Sequence, residues 1–320
     1  MKAWKKHLGT VFLLGIICFL TGCGANTVVK VGNEKLDLSE LMYYVYQAEE
    51  EGKVYEEMYQ SFFSESYWDA EYEEGKTFRE VAKEDAYENG IMYTIFEQKA
   101  SEAGYSLSEE EIAACEKEAT EEYASLSEAQ REAIGLDREA FISLKKKITL
   151  GNKYYDALME GLEVNEDKAT SRILEEEYIQ YDVEYLYAEE KELLEPYLER
   201  AIAGEDFNTM AEEQPEQLEA GYIGFLEGDY SLGEVFEKEA LKLSDGELCD
   251  HIVKEEDGYY IIAMVDDDSR ESYEAACEEA ILNARNEAFE EAYQKIKAEF
   301  TIKKYDSEWD SLVIGELTIE

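Results

Sequence analysis

Residues able to do acid–base or nucleophilic chemistry are few in this chain of 320. Only two histidines occur, His7 and His251. Zinc hydrolysis by a helical HExxH needs two histidines one turn apart, triad catalysis needs a histidine beside a Ser or Cys nucleophile, and phosphate transfer needs a glycine-rich loop ending in Lys-Ser/Thr. None of these patterns is present, nor is a CxxC pair. The acidic run at 266–268 lacks the alternating ligand spacing of a calcium loop. The expectation is therefore no metal and no cofactor.

Composition narrows the partners. The chain carries 78 acidic and 30 basic residues, a net charge of −48. That charge repels phosphate backbones and offers no counterion release, so nucleic acid is excluded as a partner. Hydrophobic residues make up 45% and aromatic residues 12%, enough for a packed core, and the length predicts two domains.

The first residues read as an address. Lys2, Lys5 and Lys6 precede an apolar run from Leu8 to Leu20. At about 1.5 Å per residue this run is too short for a bilayer core of roughly 30 Å, which marks a secretion signal rather than a span. Leu20-Thr21-Gly22-Cys23 resembles the lipobox of bacterial lipoproteins. The resemblance implies a signal peptide over 1–22 and a diacylated Cys23 that tethers the protein to the extracytoplasmic face of the cell membrane. Apart from that anchor, Cys115, Cys249 and Cys277 are odd in number and far apart, which favours free thiols over a disulfide framework.

The elements follow from pattern. TVVKVGNEKL at 27–36 predicts two short strands around a Gly-Asn turn. Capping boxes are predicted at Asp37/Glu40, Thr77/Glu80, Ser108/Glu111 and Ser127/Gln130, each opening a helix, and Gly104 suits the end of one. Phe141, Leu144, Ile148, Tyr155, Leu158 and Leu162 lie at helical spacing, with Lys145, Lys146 and Lys147 on the opposite, solvated face. An aromatic cluster including Phe62, Phe63, Tyr67 and Trp68 reads as core. From Tyr181 to Asp266 the pattern turns to strand, helix, loop and strands. A long helix then carries Leu282, Phe289, Tyr293 and Ile296, and Leu312, Val313 and Ile314 form a last apolar stretch.

The middle segment resembles the parvulin type of peptidyl-prolyl isomerase domain, and the layout resembles extracytoplasmic foldases of the PrsA and SurA group. The matching pieces run in order: VEYLYA at 183–188, GEDF followed by Met210-Ala211 at 204–211, GYIG at 221–224, Phe236 with Ala240 and Leu243, GEL at 246–248 and GYYII at 258–262. The resemblance implies an α+β fold: a mostly helical lobe over 23–178, completed by 267–320, with an inserted parvulin-like domain, a small antiparallel sheet plus helices, over 179–266.

An isomerase of this type breaks no bond. It lowers a rotational barrier of about 18–20 kcal/mol by seating the proline ring in an apolar cup and stabilising the twisted amide with polar groups. By the resemblance the cup is Ile223, Leu226, Leu232 and Phe236. The family's two central histidines fall on Tyr185 and Tyr260, phenols that titrate near 10 rather than near 6.5. His251 falls on a stretch expected at the surface. The expected function is a lipid-anchored chaperone that binds unfolded or proline-containing secreted polypeptides, with weak or absent isomerase activity. Active prolyl isomerisation is the first alternative. A solute-binding lipoprotein is the second, and the absence of alternating βαβ lobes speaks against it.

Overall fold

The computed structural model describes residues 27–73, 75–305 and 307–318. Cys23 and the segment 1–22 expected to be a signal peptide lie outside the described residues. One compact unit combines residues up to Leu158 with Lys295–Glu320; the other is Met159–Gln294. The fold is α+β, and the strand pairings are antiparallel among the described residues.

In the first unit, β1 (Thr27–Val31) and β2 (Glu34–Asp37) form the hairpin expected from Gly32-Asn33. Gly32 sits at φ +62°, which a glycine adopts without penalty. A third strand, Ile302–Lys304, pairs with the other edge of β1, so the two ends of the chain share one sheet. Helix α1 (Leu38–Phe63) follows, then the short strands β3 (Glu71–Glu73) and β4 (Lys76–Thr77), then α2 (Phe78–Glu102), α3 (Glu109–Ser125), α4 (Glu128–Ile134) and α5 (Arg138–Gly161). Leu36, Leu41, Tyr43, Ile95, Phe96 and Phe141 are fully buried and make the core of this unit.

Three of the four capping boxes form with both reciprocal bonds, at Thr77/Glu80, Ser108/Glu111 and Ser127/Gln130. The fourth does not. Asp37 stands at the start of α1 without a side-chain cap, because its Oδ1 accepts from Thr27 Oγ1 at 3.0 Å across the hairpin, while Glu40 pairs with Lys147 at 2.9 Å. The basic run also differs from a simple solvated face. Lys145 pairs with Glu122 at 2.8 Å and Lys146 with Glu116 at 2.6 Å, so all three lysines are matched with acids of their own unit.

The apolar stretch at 312–314 is not a strand. A short 3-10 turn at Glu308–Ser311 precedes it, Ile314 is buried, and the segment beyond is held by Glu49 of α1. Fully buried itself, the Glu49 carboxylate accepts from the backbone N–H of Gly315 at 2.6 Å, Leu317 at 3.1 Å and Thr318 at 2.6 Å, and from the Thr318 hydroxyl at 2.5 Å. Four donors aimed at one carboxylate replace the water it lost on burial.

The second unit contains α6 (Glu166–Thr170), β5 (Gln180–Ala188), α7 (Lys191–Ile202), α8 (Phe207–Glu212), β6 (Glu219–Leu226), α9 (Glu234–Ala240), β7 (Val253–Lys254), β8 (Tyr259–Ser269) and α10 (Glu271–Lys297). Its four strands make one sheet in the order β6-β5-β8-β7. The unit extends past 179–266 at both ends, since Arg285 of α10 pairs with Glu166 of α6 at 3.1 Å and Arg270 pairs with Glu175.

Alternation along the strands gives the sheet two apolar faces. Leu186, Ala188 and Ile261 point to one face and pack on Leu194, Tyr197 and Ala201 of α7 and on Phe207 and Met210 of α8. Val183, Phe225, Tyr260, Ile262 and Met264 point to the other, against Phe236 and Ala240 of α9.

Candidate functional site

The α9 face of the sheet is where the residues singled out by sequence meet. β5 and β8 are central antiparallel neighbours, with Tyr185 opposite Ile262 and Tyr187 opposite Tyr260. Tyr185 and Tyr260 therefore project from the same face as diagonal neighbours, and long side chains reach across that diagonal. Their ring centroids lie 5.6 Å apart at 70°. Phe236 completes the group, 5.2 Å from Tyr260 at 79° and 6.0 Å from Tyr185 at 89°. All three contacts are edge-to-face, the arrangement the ring quadrupole favours.

Close backbone approach makes this possible. A Cβ placed on Gly221 of β6 would meet the Tyr185 ring at Cζ and Oη, both at 2.3 Å, so the phenol lies across a position that only glycine leaves open.

The polar half is a single hydrogen bond. Tyr260 is 2% exposed and its hydroxyl donates to Asp257 Oδ2 at 2.8 Å. Burial first, and then that carboxylate, raise the Tyr260 pKa above its ordinary value; burial followed by Glu219 raises that of Tyr185. Both phenols are protonated at neutral pH. Tyr260 donates its one hydrogen bond to Asp257 in that form.

Three of the four predicted cup residues stand here. Ile223 and Leu232 pack against the cluster and Phe236 lies in it. Leu226 does not belong: side chains alternate along β6, so 223 and 225 share the site face while 226 points away from it. The buried residue at this level is Phe225, which the sequence reading missed by one position.

The cup is also filled. Between Ile223, Phe225, Leu232, Phe236 and Glu237 only about 10 Å³ remains open. That is about the space of one water, too little for a pyrrolidine ring with three methylenes. The loop above it is tied down by the buried Glu237 carboxylate, which accepts from the N–H of Gly228 at 2.6 Å and of Tyr230 at 2.9 Å. Glu255 accepts from the Phe236 N–H at 2.7 Å at the start of α9.

The helical unit offers a second surface. The aromatic cluster expected in its core divides: Trp68 is buried, whereas Phe62 is 76% and Phe63 62% exposed. Val54, Met58 and Phe62 repeat every fourth residue of α1 and form an exposed apolar stripe, flanked by Tyr55 and Phe63. Beside the same helix lies a cavity of about 350 Å³ lined by Tyr44, Tyr55, Tyr67, Trp68, Tyr72 and Phe78.

The fold is thus α+β, a helical unit with an exposed apolar stripe and an antiparallel sheet bearing an aromatic cluster. The chain is similar to the foldase protein PrsA of Halalkalibacterium halodurans, 26% identical over 161 residues, 48% of each sequence. It spans about half the length of that curated relative. Among solved structures it is similar to PrsA from Lactococcus lactis, at 14% identity, 87% of this chain, 95% of that one and a TM-score of 0.33. PrsA from Bacillus subtilis matches at 19% identity, 68% of this chain, 85% of that one and a TM-score of 0.26. No protein-family model matches.

Proposed function

We propose that this chain is a foldase that holds unfolded secreted polypeptides at the outer face of the cell membrane, anchored through Cys23, and that its isomerase-like module has weak or absent prolyl isomerase activity. The observation carrying the client-binding reading is the α1 stripe. Val54 and Phe62 are 71% and 76% exposed, and soluble monomers keep large contiguous apolar surfaces for contacts. The similarity to PrsA supports the same reading. A net charge of −48 favours neutral or basic clients.

The filled cup supports the second half of the proposal. Catalysis requires tighter binding of the twisted amide than of the planar one, and a ring that finds no seat gains neither. The solute-binding alternative finds no support, since the strand pairings among the described residues are antiparallel and no βαβ lobe is formed.

The test uses the chain lacking residues 1–22. At near-stoichiometric amounts it suppresses aggregation of an unfolded secreted protein, and the Phe62→Gln/Phe63→Gln variant loses most of that effect. In a protease-coupled proline-peptide assay the same protein accelerates isomerisation less than about tenfold, equivalent to under about 1.4 kcal/mol of selective stabilisation. Suppression that survives the double substitution counts against the stripe; brisk isomerisation counts against the closed cup. Incorporation of labelled palmitate by the full chain, lost on Cys23→Ser, tests the anchor.

A further inference from the structure

Sequence spacing offered no metal motif, yet folding brings three different donors together at one edge of the second unit. Glu239 of α9, Cys249 and His251 each place one ligand atom within 4.8 Å of the others. The position of Cys249 is set by backbone pairing: its N–H donates to Ile262 O at 2.8 Å, beside the bridge between Leu248 and Ala263. The thiol is 3% exposed, with Sγ 3.4 Å from His251 Nδ1.

The imidazole is oriented for coordination. Its Nδ1 lies 2.8 Å from Asp250 Oδ1 and 3.4 Å from the thiol, and its Nε2 is turned to Glu239. Nε2 faces Glu239 Oε2 at 3.8 Å, too long for a hydrogen bond and close to the separation of two ligands that share an ion at about 2.0–2.2 Å each. The other Glu239 oxygen, Oε1, is held by Lys242 at 2.7 Å. A carboxylate on the far nitrogen of a coordinating histidine is the usual device for holding the ring in register and raising its basicity. His251 is half exposed, so the ion has a route in and room for a water as fourth ligand.

We propose that Glu239, Cys249 and His251 form a zinc site, with Asp250 as the positioning residue for His251. Thiolate, imidazole and carboxylate together suit Zn²⁺, whose four-coordinate sites accept all three. Binding replaces the thiol proton, which passes to solvent, and no electron is transferred. The ion ties α9, which carries Phe236 three residues before Glu239, to the strand-edge segment at 249–251. This proposal stands apart from client binding, which the α1 stripe carries alone.

Cobalt is the probe, added to the reduced full-length protein. One equivalent of Co²⁺ gives a near-ultraviolet thiolate-to-metal absorption band, and Zn²⁺ displaces it. Cys249→Ser removes the band while Cys115 and Cys277 remain. His251→Ala, at an exposed position where folding is not at stake, lowers Zn²⁺ affinity at least about tenfold, and Asp250→Asn lowers it about tenfold or more. Wild-type protein rises in melting temperature with zinc, and Cys249→Ser does not. Cobalt bound without a thiolate band, a band that survives Cys249→Ser, or a zinc affinity unchanged in His251→Ala each overturns the proposal.

Discussion

Gly221→Ala tests whether the Tyr185 phenol really lies across β6. The added Cβ would sit 2.3 Å from Cζ and Oη and 2.7 Å from Cε1 of Tyr185, distances at which the ring must leave. Leaving costs it the edge contacts with Tyr260 and Phe236, each worth about 0.5–1.5 kcal/mol, for a loss of about 1–3 kcal/mol. In a strand with free space the same substitution helps by roughly 0.5–1 kcal/mol, since alanine loses less backbone entropy than glycine. The decisive comparison is a thermodynamic cycle with Tyr185→Ala, read by urea unfolding. With the phenol gone, Gly221→Ala becomes neutral or stabilising, a coupling of about 1–3 kcal/mol between the two sites. An alanine that costs the same in both backgrounds would show that the phenol is not what glycine accommodates, and the description of the cup would fail with it.

Removing the charge at Glu49 should loosen the C-terminal segment. Glu49→Gln disrupts a buried carboxylate with four donors and lowers stability by about 3–5 kcal/mol, seen as faster proteolytic cleavage near residue 315. Because the Tyr260 pKa is raised in the folded state, its contribution is complete below the unfolded value near 10 and is lost as pH climbs through the folded value. Stability measured from pH 9 upward should therefore fall less steeply in Tyr260→Phe than in the parent.

How much of this was legible beforehand depended on whether the responsible groups were neighbours in sequence. The capping boxes at 77, 108 and 127 were readable because donor and acceptor lie three residues apart, within reach of one turn. Asp37 had the same local signature and failed, since Thr27, ten residues earlier, takes its oxygen through a hairpin. Lys145, Lys146 and Lys147 looked solvated for a similar reason: their acids come from α1 and α3.

In the site, ordered motifs located Tyr185, Tyr260, Ile223, Leu232 and Phe236, which the fold gathers on one face. Leu226 was chosen over Phe225 because both are large and apolar. Period-two counting from Ile223 would have chosen correctly. No local signal could show that the cup is closed, because closure is set by how rings from β5, β8 and α9 fit together. The Glu239–Cys249–His251 group was equally hidden, with its carboxylate ten positions upstream on a helix.

The grip of Glu49 on residues 315–318, together with the pairing of β1 with 302–304, sets an order of assembly. In a chain made amino end first, β1 lacks one neighbour until residues 302–304 exist, while the 159–294 segment already has every strand of its sheet. Residues 302–318 are thus a structural part of the first unit, and a chain interrupted before them has a finished sheet at 159–294 and an uncovered β1 edge.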